Sequence, residues 1–212
     1  LGDIKGKSIL HLQCHFGQDT ISLSRLGAKA TGVDFSEKAI EKANTLAKIN
    51  NVDTRFILSD VYSLPLILNE KFDMVFTSYG TIGWLPDLQK WASVIAHFLK
   101  PGGIFIFAEF HPVIWMFDND FTHVAYNYFK DNAIVEHEEG TYADRSKNTK
   151  FTTMTWNHSI SSVFSALAEE NINIHLFIYV CTSSLSHFRN IKATQLYLNP
   201  PFPRRGIEIT GV

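Results

Sequence analysis

The stretch ILHLQCHFGQDT, residues 9–20, runs a hydrophobic strand into a short turn and then into the polar start of a helix. A strand, a tight turn and a helix amino terminus together form a common nucleotide-binding device, because the turn brings backbone N–H groups up to the ligand. Such turns usually carry spaced glycines. Here Gln13 and His15 stand in two of those places and Gly17 in the third.

The rest of the first half repeats the same alternation. Residues 8–13 read as a buried strand and 19–26 as a short helix with Ile21, Leu23 and Leu26 toward the core. A second strand spans 29–34, and Ser36 caps a helix that keeps Ile40, Ala43 and Ala47 on one face. Third and fourth strands are expected at 54–58 and 72–77. After Pro86, the residues Leu88, Trp91, Ala92, Ile95 and Leu99 follow the helical period. The tetrapeptide KPGG at 100–103 should stop that helix, since proline cannot continue it, and a fifth strand is expected at 103–110. This spacing predicts βαβ units and an α/β, doubly wound, mostly parallel sheet.

Past Pro112 the rhythm changes, and 113–158 reads as an insertion with an aromatic-rich part, an acidic stretch at 136–139 and polar residues to about Lys150. A connection of that length points to function or contacts. Ser159 then caps a helix with Ile160, Val163, Phe164 and Leu167 on one side, and strands are expected at 173–180 and 191–198. The chain divides as one domain over 1–212, with a cofactor-binding half (1–112), the insertion (113–158) and a carboxyl-terminal helix and strands (159–212).

Composition narrows the function classes. At 212 residues with 45% hydrophobic content, the chain can bury a core without disulfides or metal. A net charge of −2 argues against a surface made for nucleic acid or anionic lipid, so a small-molecule partner is the expectation. Cys14 and Cys181 are far apart and no signal-peptide pattern is present, which suits reduced thiols in the cytoplasm. The numbering opens on Leu1 and reaches a strand within a few residues, so a longer product with an amino-terminal segment is expected. Oligomeric state is not legible.

In an open parallel sheet, ligands bind beyond the carboxyl ends of the strands, near the point where strand order reverses. That rule selects QCHFGQD, VDFS, LSDVYS and TSYGTIGW, which follow the first four strands. Asp34 lies about twenty residues beyond the first turn, the separation at which a carboxylate accepts from a ribose diol. An adenosine-containing cofactor follows from that position.

Taken in this order, these pieces resemble the class I S-adenosylmethionine-dependent methyltransferases, and more closely a bacterial subgroup whose first motif reads much like LHLQCHFGQDT. GVDFS, SDVYSLP and LKPGGIFIF match the later motifs. The resemblance is strong over about 7–111, weaker through GTYADR (140–145) and WNHS (156–159), and fades after about Leu176. In the broad family the first motif opens on an acid and holds three spaced glycines, and His11, Gln13, His15 and Gly17 occupy those places here. The resemblance implies a seven-stranded Rossmann-like sheet, S-adenosylmethionine as cofactor and S-adenosylhomocysteine as product. It also implies a helical segment ahead of the first strand.

Carried over by position, the resemblance places Gln13, His15 and Gly17 along the methionine end of the cofactor. Asp34 would hold the ribose hydroxyls, Phe35 would lie against the adenine, and Asp60 would accept from the adenine amino group beside the Val61 N–H. Thr77 and Ser78 would face the cofactor's amino group or sulfur. A protein base is optional in methyl transfer from a sulfonium. His111 is the first candidate for one, with Tyr79 and His158 behind it, and Trp84, Trp115 and Trp156 complete a set of acceptor-side residues. Each has a plainer reading: a turn for Asp60 and His111, core packing for Phe35 and the tryptophans, support of the Ser159 cap for His158.

His11 reads as a buried, hydrogen-bonded histidine and Cys14 as an inert thiol. No metal site is expected, because strand alternation separates the two and no second ligand set follows. Asp19 is expected to cap the first helix. The function expected is methyl transfer to a small molecule (EC 2.1.1.-). Two alternatives stand beside it: a non-catalytic binder of S-adenosylmethionine or S-adenosylhomocysteine, and a nicotinamide-dependent oxidoreductase, which would want three glycines where QCHFGQ offers one.

Overall fold

Strands that lack polar alternation must be covered on both faces, and β1 (Ser8–Leu12) and β2 (Lys29–Asp34) are buried almost throughout. The computed structural model describes residues 2–118, 120–130, 132–139 and 150–175. From β2 the chain continues through α2 (Glu37–Ile49), β3 (Arg55–Leu58), a single turn α3 (Leu64–Ile67), β4 (Phe72–Ser78), α4 (Leu88–Phe98) and β5 (Leu99–Ala108). The first helix, α1 (Gln18–Arg25), links β1 to β2. All five strands pair in parallel, in the order β3-β2-β1-β4-β5.

Two apolar layers hold the sheet. On one face Leu10, Leu12 and Val75 pack with Trp91, Ile95 and Phe98 of α4, and Trp91 meets Phe105 and Phe107 edge-on at 5.6 and 5.5 Å. On the other, Ile9, Met74 and Phe76 pack with Leu23 of α1. Ser36 Oγ accepts from Ala39 N–H at the start of α2, and Asp87 Oδ1 accepts from Lys90 N–H at the start of α4. At the amino edge, Asp73 joins three strands: one oxygen accepts from the Ser8 backbone and hydroxyl, the other from Lys100 Nζ at 2.8 Å. That lysine and the Ser8 donors hold the Asp73 carboxyl well below the usual carboxylate range.

The order reverses between β1 and β4, which opens the crevice at their carboxyl ends. This is the place the sequence selects. Boundaries differ in instructive ways. β1 stops at Leu12 because Gln13 turns left-handed, and α1 starts at Gln18 rather than Asp19. KPGG does not separate helix from strand. Phe72 already pairs with Leu99 and Met74 next pairs with Ile104, so Lys100–Gly103 bulges out of β5, which follows α4 directly and ends at Ala108.

Between β5 and the last helix the sequence suggested an aromatic and acidic connection without strands. The structure instead contains an antiparallel hairpin, β6 (Ile134–Glu139) with β7 (Lys150–Thr155), separate from the main sheet. The expected solvated acidic face is partly used, since Glu136 Oε1 accepts from the Tyr126 hydroxyl at 2.7 Å. Ser159 Oγ accepts from Ser162 N–H as expected of a cap, and α5 (Ile160–Glu169) buries Val163, Ala166 and Leu167 against the α4 layer. GTYADR, Cys181, most of the expected strand at 173–180 and all of that at 191–198 lie outside the described residues, and so does the expectation that the sheet has seven strands. Among the described residues no helix is long and apolar enough to cross a membrane.

Candidate active site at the carboxyl ends of β1 and β4

The first loop keeps a glycine-type backbone without the glycines. Gln13, His15 and Gly17 have φ of 55°, 50° and 70°, three left-handed residues at alternate positions. For a residue with a Cβ this conformation costs roughly 1–2 kcal/mol. Only Gly17 has no substitute: a Cβ there would lie 2.4 Å from the Phe56 ring and 2.9 Å from the Ala43 Cβ. Gly17 is thus required by its left-handed backbone and by the packing of the loop on β3 and α2. Cys14 is buried in the same cradle, its Sγ close to Gly32, and burial pushes its thiol up to about 12, with the Asp34 carboxylate adding to the effect.

Asp34 closes the loop from the end of β2. Its Oδ2 accepts from His15 N–H at 2.8 Å and its Oδ1 from Ser36 N–H at 2.9 Å, with 7% of the residue exposed. An ionised carboxylate has about four acceptor sites. One per oxygen is used. Phe35, next in the chain, is 73% exposed, so it does not pack in the core. Beyond β3, Asp60 Oδ1 accepts from Ser63 N–H at 2.9 Å and stabilises the turn before α3, while Val61 is buried. The turn-forming reading of Asp60 is thus realised.

A line of polar groups connects the first loop to β4. His11 is 2% exposed, with Nδ1 2.8 Å from Thr20 Oγ1 and Nε2 3.2 Å from Ser78 Oγ. Ser78 Oγ in turn donates to Asp19 Oδ2 at 3.3 Å. Since a serine hydroxyl has one proton, this pattern requires Nε2 to carry the imidazole hydrogen and Thr20 to donate to Nδ1. Burial lowers the pKa of His11 to about 3, so the ring is neutral. Asp19 makes no side-chain cap on α1, contrary to the expectation, because its carboxylate turns to Ser78 instead. Thr77, the residue before Ser78, is fully buried, and among the described residues neither its hydroxyl nor Gln13 Oε1 has a hydrogen-bond partner.

Glu109 escaped the sequence reading. Its half-buried carboxylate accepts from the backbone N–H groups of Gly80, Thr81, Ile82 and Phe110, at 2.5, 2.8, 3.3 and 2.7 Å. Burial pushes its pKa above the ordinary value, and these four donors oppose the shift. The loop after β4 is thereby fixed, with Tyr79 in a left-handed conformation at φ 52°. Gln13 Nε2 donates to Thr81 O at 3.0 Å, which ties the first loop to the fourth. An acid at the end of β5, one residue beyond the buried alternation, was the available signal.

The acceptor-side candidates divide. Tyr79, Trp84 and Trp115 are each exposed, and Phe110 stands edge-on to Trp115 at 5.7 Å beside Gly80. Tyr79 and Trp115 thus lie on either side of Phe110 at the loop after β4, and Trp84 follows in that same loop. His111 Nδ1 accepts from Val113 N–H at 3.2 Å, which places it in a turn just past β5. His158 is brought elsewhere. It is buried, its Nε2 2.8 Å from Leu85 O, and burial lowers its pKa. Trp156 N–H bonds to Gly83 O, and Asn157 Nδ2 donates to Trp115 O and Asn127 O, so the WNHS segment supports the rim from behind.

Comparison with known proteins agrees with this geometry. Residues 9–103 match the family described as "Methyltransferase domain". An uncharacterized methyltransferase of Synechocystis sp. is 37% identical over 114 residues, 53% of this chain and 51% of that protein. A ubiquinone biosynthesis O-methyltransferase of Coxiella burnetii is 30% identical over 105 residues, covering 50% of this chain and 44% of the other. The chain thus spans about half the length of these relatives. The crystal structure of a S-adenosylmethionine-dependent methyltransferase from Clostridium acetobutylicum superposes with a TM-score of 0.62 at 19% identity, over 96% of this chain and 82% of that one. The fold is the Rossmann-like α/β fold of those enzymes.

Two expectations follow from the loop. Replacing His15 with Gly removes a left-handed Cβ from an exposed position and should raise stability by about 1 kcal/mol in chemical denaturation; a loss of stability contradicts the strained reading. His11 titrates near 6.5 when unfolded and near 3 when folded, so between those values only the unfolded chain takes up the proton. Its contribution to stability is complete above pH 6.5 and declines as pH falls, by up to about 1.4 kcal/mol per unit. Urea unfolding at pH 7 and pH 5 should show a steeper loss for the unaltered chain than for His11→Gln, and equal slopes refute the assignment.

Proposed function

We propose that this chain binds S-adenosylmethionine in the β1/β4 crevice and transfers its methyl group to a small-molecule acceptor. The observation that carries the proposal is the Asp34 carboxylate. It stands at the end of β2, oriented by two backbone N–H groups and with an acceptor site left on each oxygen for a ribose diol. The unpartnered Gln13 Oε1 and Thr77 Oγ1 fit the same ligand, because buried acceptors at this edge gain from a ligand that brings N–H donors. Methyltransferase relatives and the shared fold support methyl transfer in general.

When bound, the cofactor supplies a methyl group on a positively charged sulfur. The chain's own contribution is to hold and to orient. Phe35 offers an exposed ring for the adenine face, with the buried Val61 and the turn at Asp60 beside it. Gln13, His15 and Gly17 shape the methionine end, and Thr77 and Ser78 bound it from β4. On the acceptor side Tyr79, Trp84 and Trp115 form a partly apolar rim that suits a small, flat or apolar-bodied molecule and limits water around the transfer. Where the acceptor needs a proton removed, His111 is the base, its ring oriented by Val113 N–H. His158 and Trp156 hold that rim in place.

Isothermal titration calorimetry of the purified chain with S-adenosylmethionine, S-adenosylhomocysteine and NAD tests the reading. Both sulfur ligands should bind in preference to NAD. Asp34→Ala should weaken them by about 1–3 kcal/mol, the scale of a lost charged acceptor. Preference for NAD, or unchanged affinity in a folded Asp34→Ala variant, would overturn it.

A further inference from the structure

The bulge at Lys100–Gly103 lies at the amino edge of the sheet, the end opposite the crevice, and nothing in the cofactor reading uses it. Beside it is a cavity of about 420 Å³, bordered by Lys5, Gly6 and Lys7 ahead of β1, by Asp73 near the start of β4 and by the bulge itself. Three lysines and one acid meet there. The acid is already matched, because Asp73 accepts from Lys100 Nζ through one oxygen and from the Ser8 backbone and hydroxyl through the other. Lys5 and Lys7 have no carboxylate partner for their ammonium groups among the described residues, although Lys7 is half-buried. Asp3, the nearest acid in sequence, engages the Lys5 backbone N–H instead.

We propose that this cavity is an anion site that takes a phosphate group, brought either by the free ion or by a small phosphorylated metabolite. Lys100 is its anchor. An ammonium has three protons, and the bonds to Asp73 Oδ1 and Ser8 Oγ take two of them, which orients the group and leaves the third for a ligand. Lys5 and Lys7 add charge that no acid of the described chain neutralises, and a bound dianion offsets the cost of a half-buried ammonium without a counter-ion. Three lysines less one carboxylate leave two positive charges around the cavity, in a chain that carries −2 as a whole. The main chain is open here as well. Gly6 and Gly102 have φ of 77° and 73°, and a Cβ at either would meet nothing within 4 Å, so no packed side chain bars a ligand from the backbone. A phosphate held between Lys7 and Lys100 ties the approach to β1 to the start of β5, and strengthens the sheet at the end away from the chemistry.

Titration calorimetry of the full chain with inorganic phosphate and with glycerol 3-phosphate, at an ionic strength held constant with sodium chloride, tests the site. Saturable binding of at least one is expected, with a dissociation constant below about 1 mM, and the tighter of the two identifies the source of the phosphate. Lys7→Gln should weaken it by about tenfold and the exposed Lys5→Gln by less, while Lys90→Gln, at the start of α4, should leave it unchanged. The bound anion should also raise the melting temperature of the unaltered chain above that in chloride alone, and lose this effect in Lys7→Gln. Absence of saturable binding, or equal affinity in a folded Lys7→Gln variant, would overturn the site. Displacement of the anion by S-adenosylhomocysteine would place it in the crevice and overturn the site equally.

Discussion

The site depends on one carboxylate that holds a strained loop. Asp34 accepts from His15 N–H and so fixes a backbone in which residues 13, 15 and 17 are all left-handed. In most settings such a path is given to glycine, because a Cβ at positive φ crowds the backbone. Here two side chains bear the strain, and the fold offsets it with a buried acceptor on one side and the Phe56 cradle around Gly17 on the other. Strain of this kind persists only where the surroundings over-determine it, as they do at many ligand sites.

The polar residues that replace glycine also do something glycine does not. Gln13 crosses to the loop after β4 and donates to Thr81 O, and that loop is itself clamped by Glu109. His11 links Thr20 on α1 to Ser78 on β4. Loops one and four are therefore joined across the crevice by hydrogen bonds from Gln13 and His11 and by the Glu109 carboxylate. Preorganisation of this sort reduces what a ligand must order on binding, which is where positioning enzymes gain most.

Much of this was legible in the sequence. The hydrophobic runs ending at Gln13, Asp34 and Thr77 pointed to parallel strands, and the strand-end rule then chose the loops that do converge. Position alone singled out Asp34 as the candidate acceptor for a ribose diol. What escaped the reading was either long-range or local in a way that periodicity does not report. Glu109 is an ordinary acid in FAEF until its four backbone partners from 80–82 and 110 are in view. KPGG has the composition of a helix stop, yet the register between Phe72 and Met74 turns it into a bulge. The β6–β7 hairpin hid within an acidic, polar stretch because IVEHEE and KFTTMT show no regular apolar alternation, and Val135 and Met154 stay half exposed. His158 read as a candidate base behind His111 or as support of the Ser159 cap, and its bond to Leu85 O, 73 residues away, is a partner that periodicity does not report.

The most direct measurement is a crystal structure of this chain with S-adenosylhomocysteine. The account predicts the ribose hydroxyls on Asp34, the methionyl tail between loops one and four, and residues 13, 15 and 17 still left-handed. A ligand found elsewhere, or a first loop that must unwind and withdraw Gln13 from Thr81 to admit it, would contradict the claim that polar residues preserved the glycine-shaped pocket.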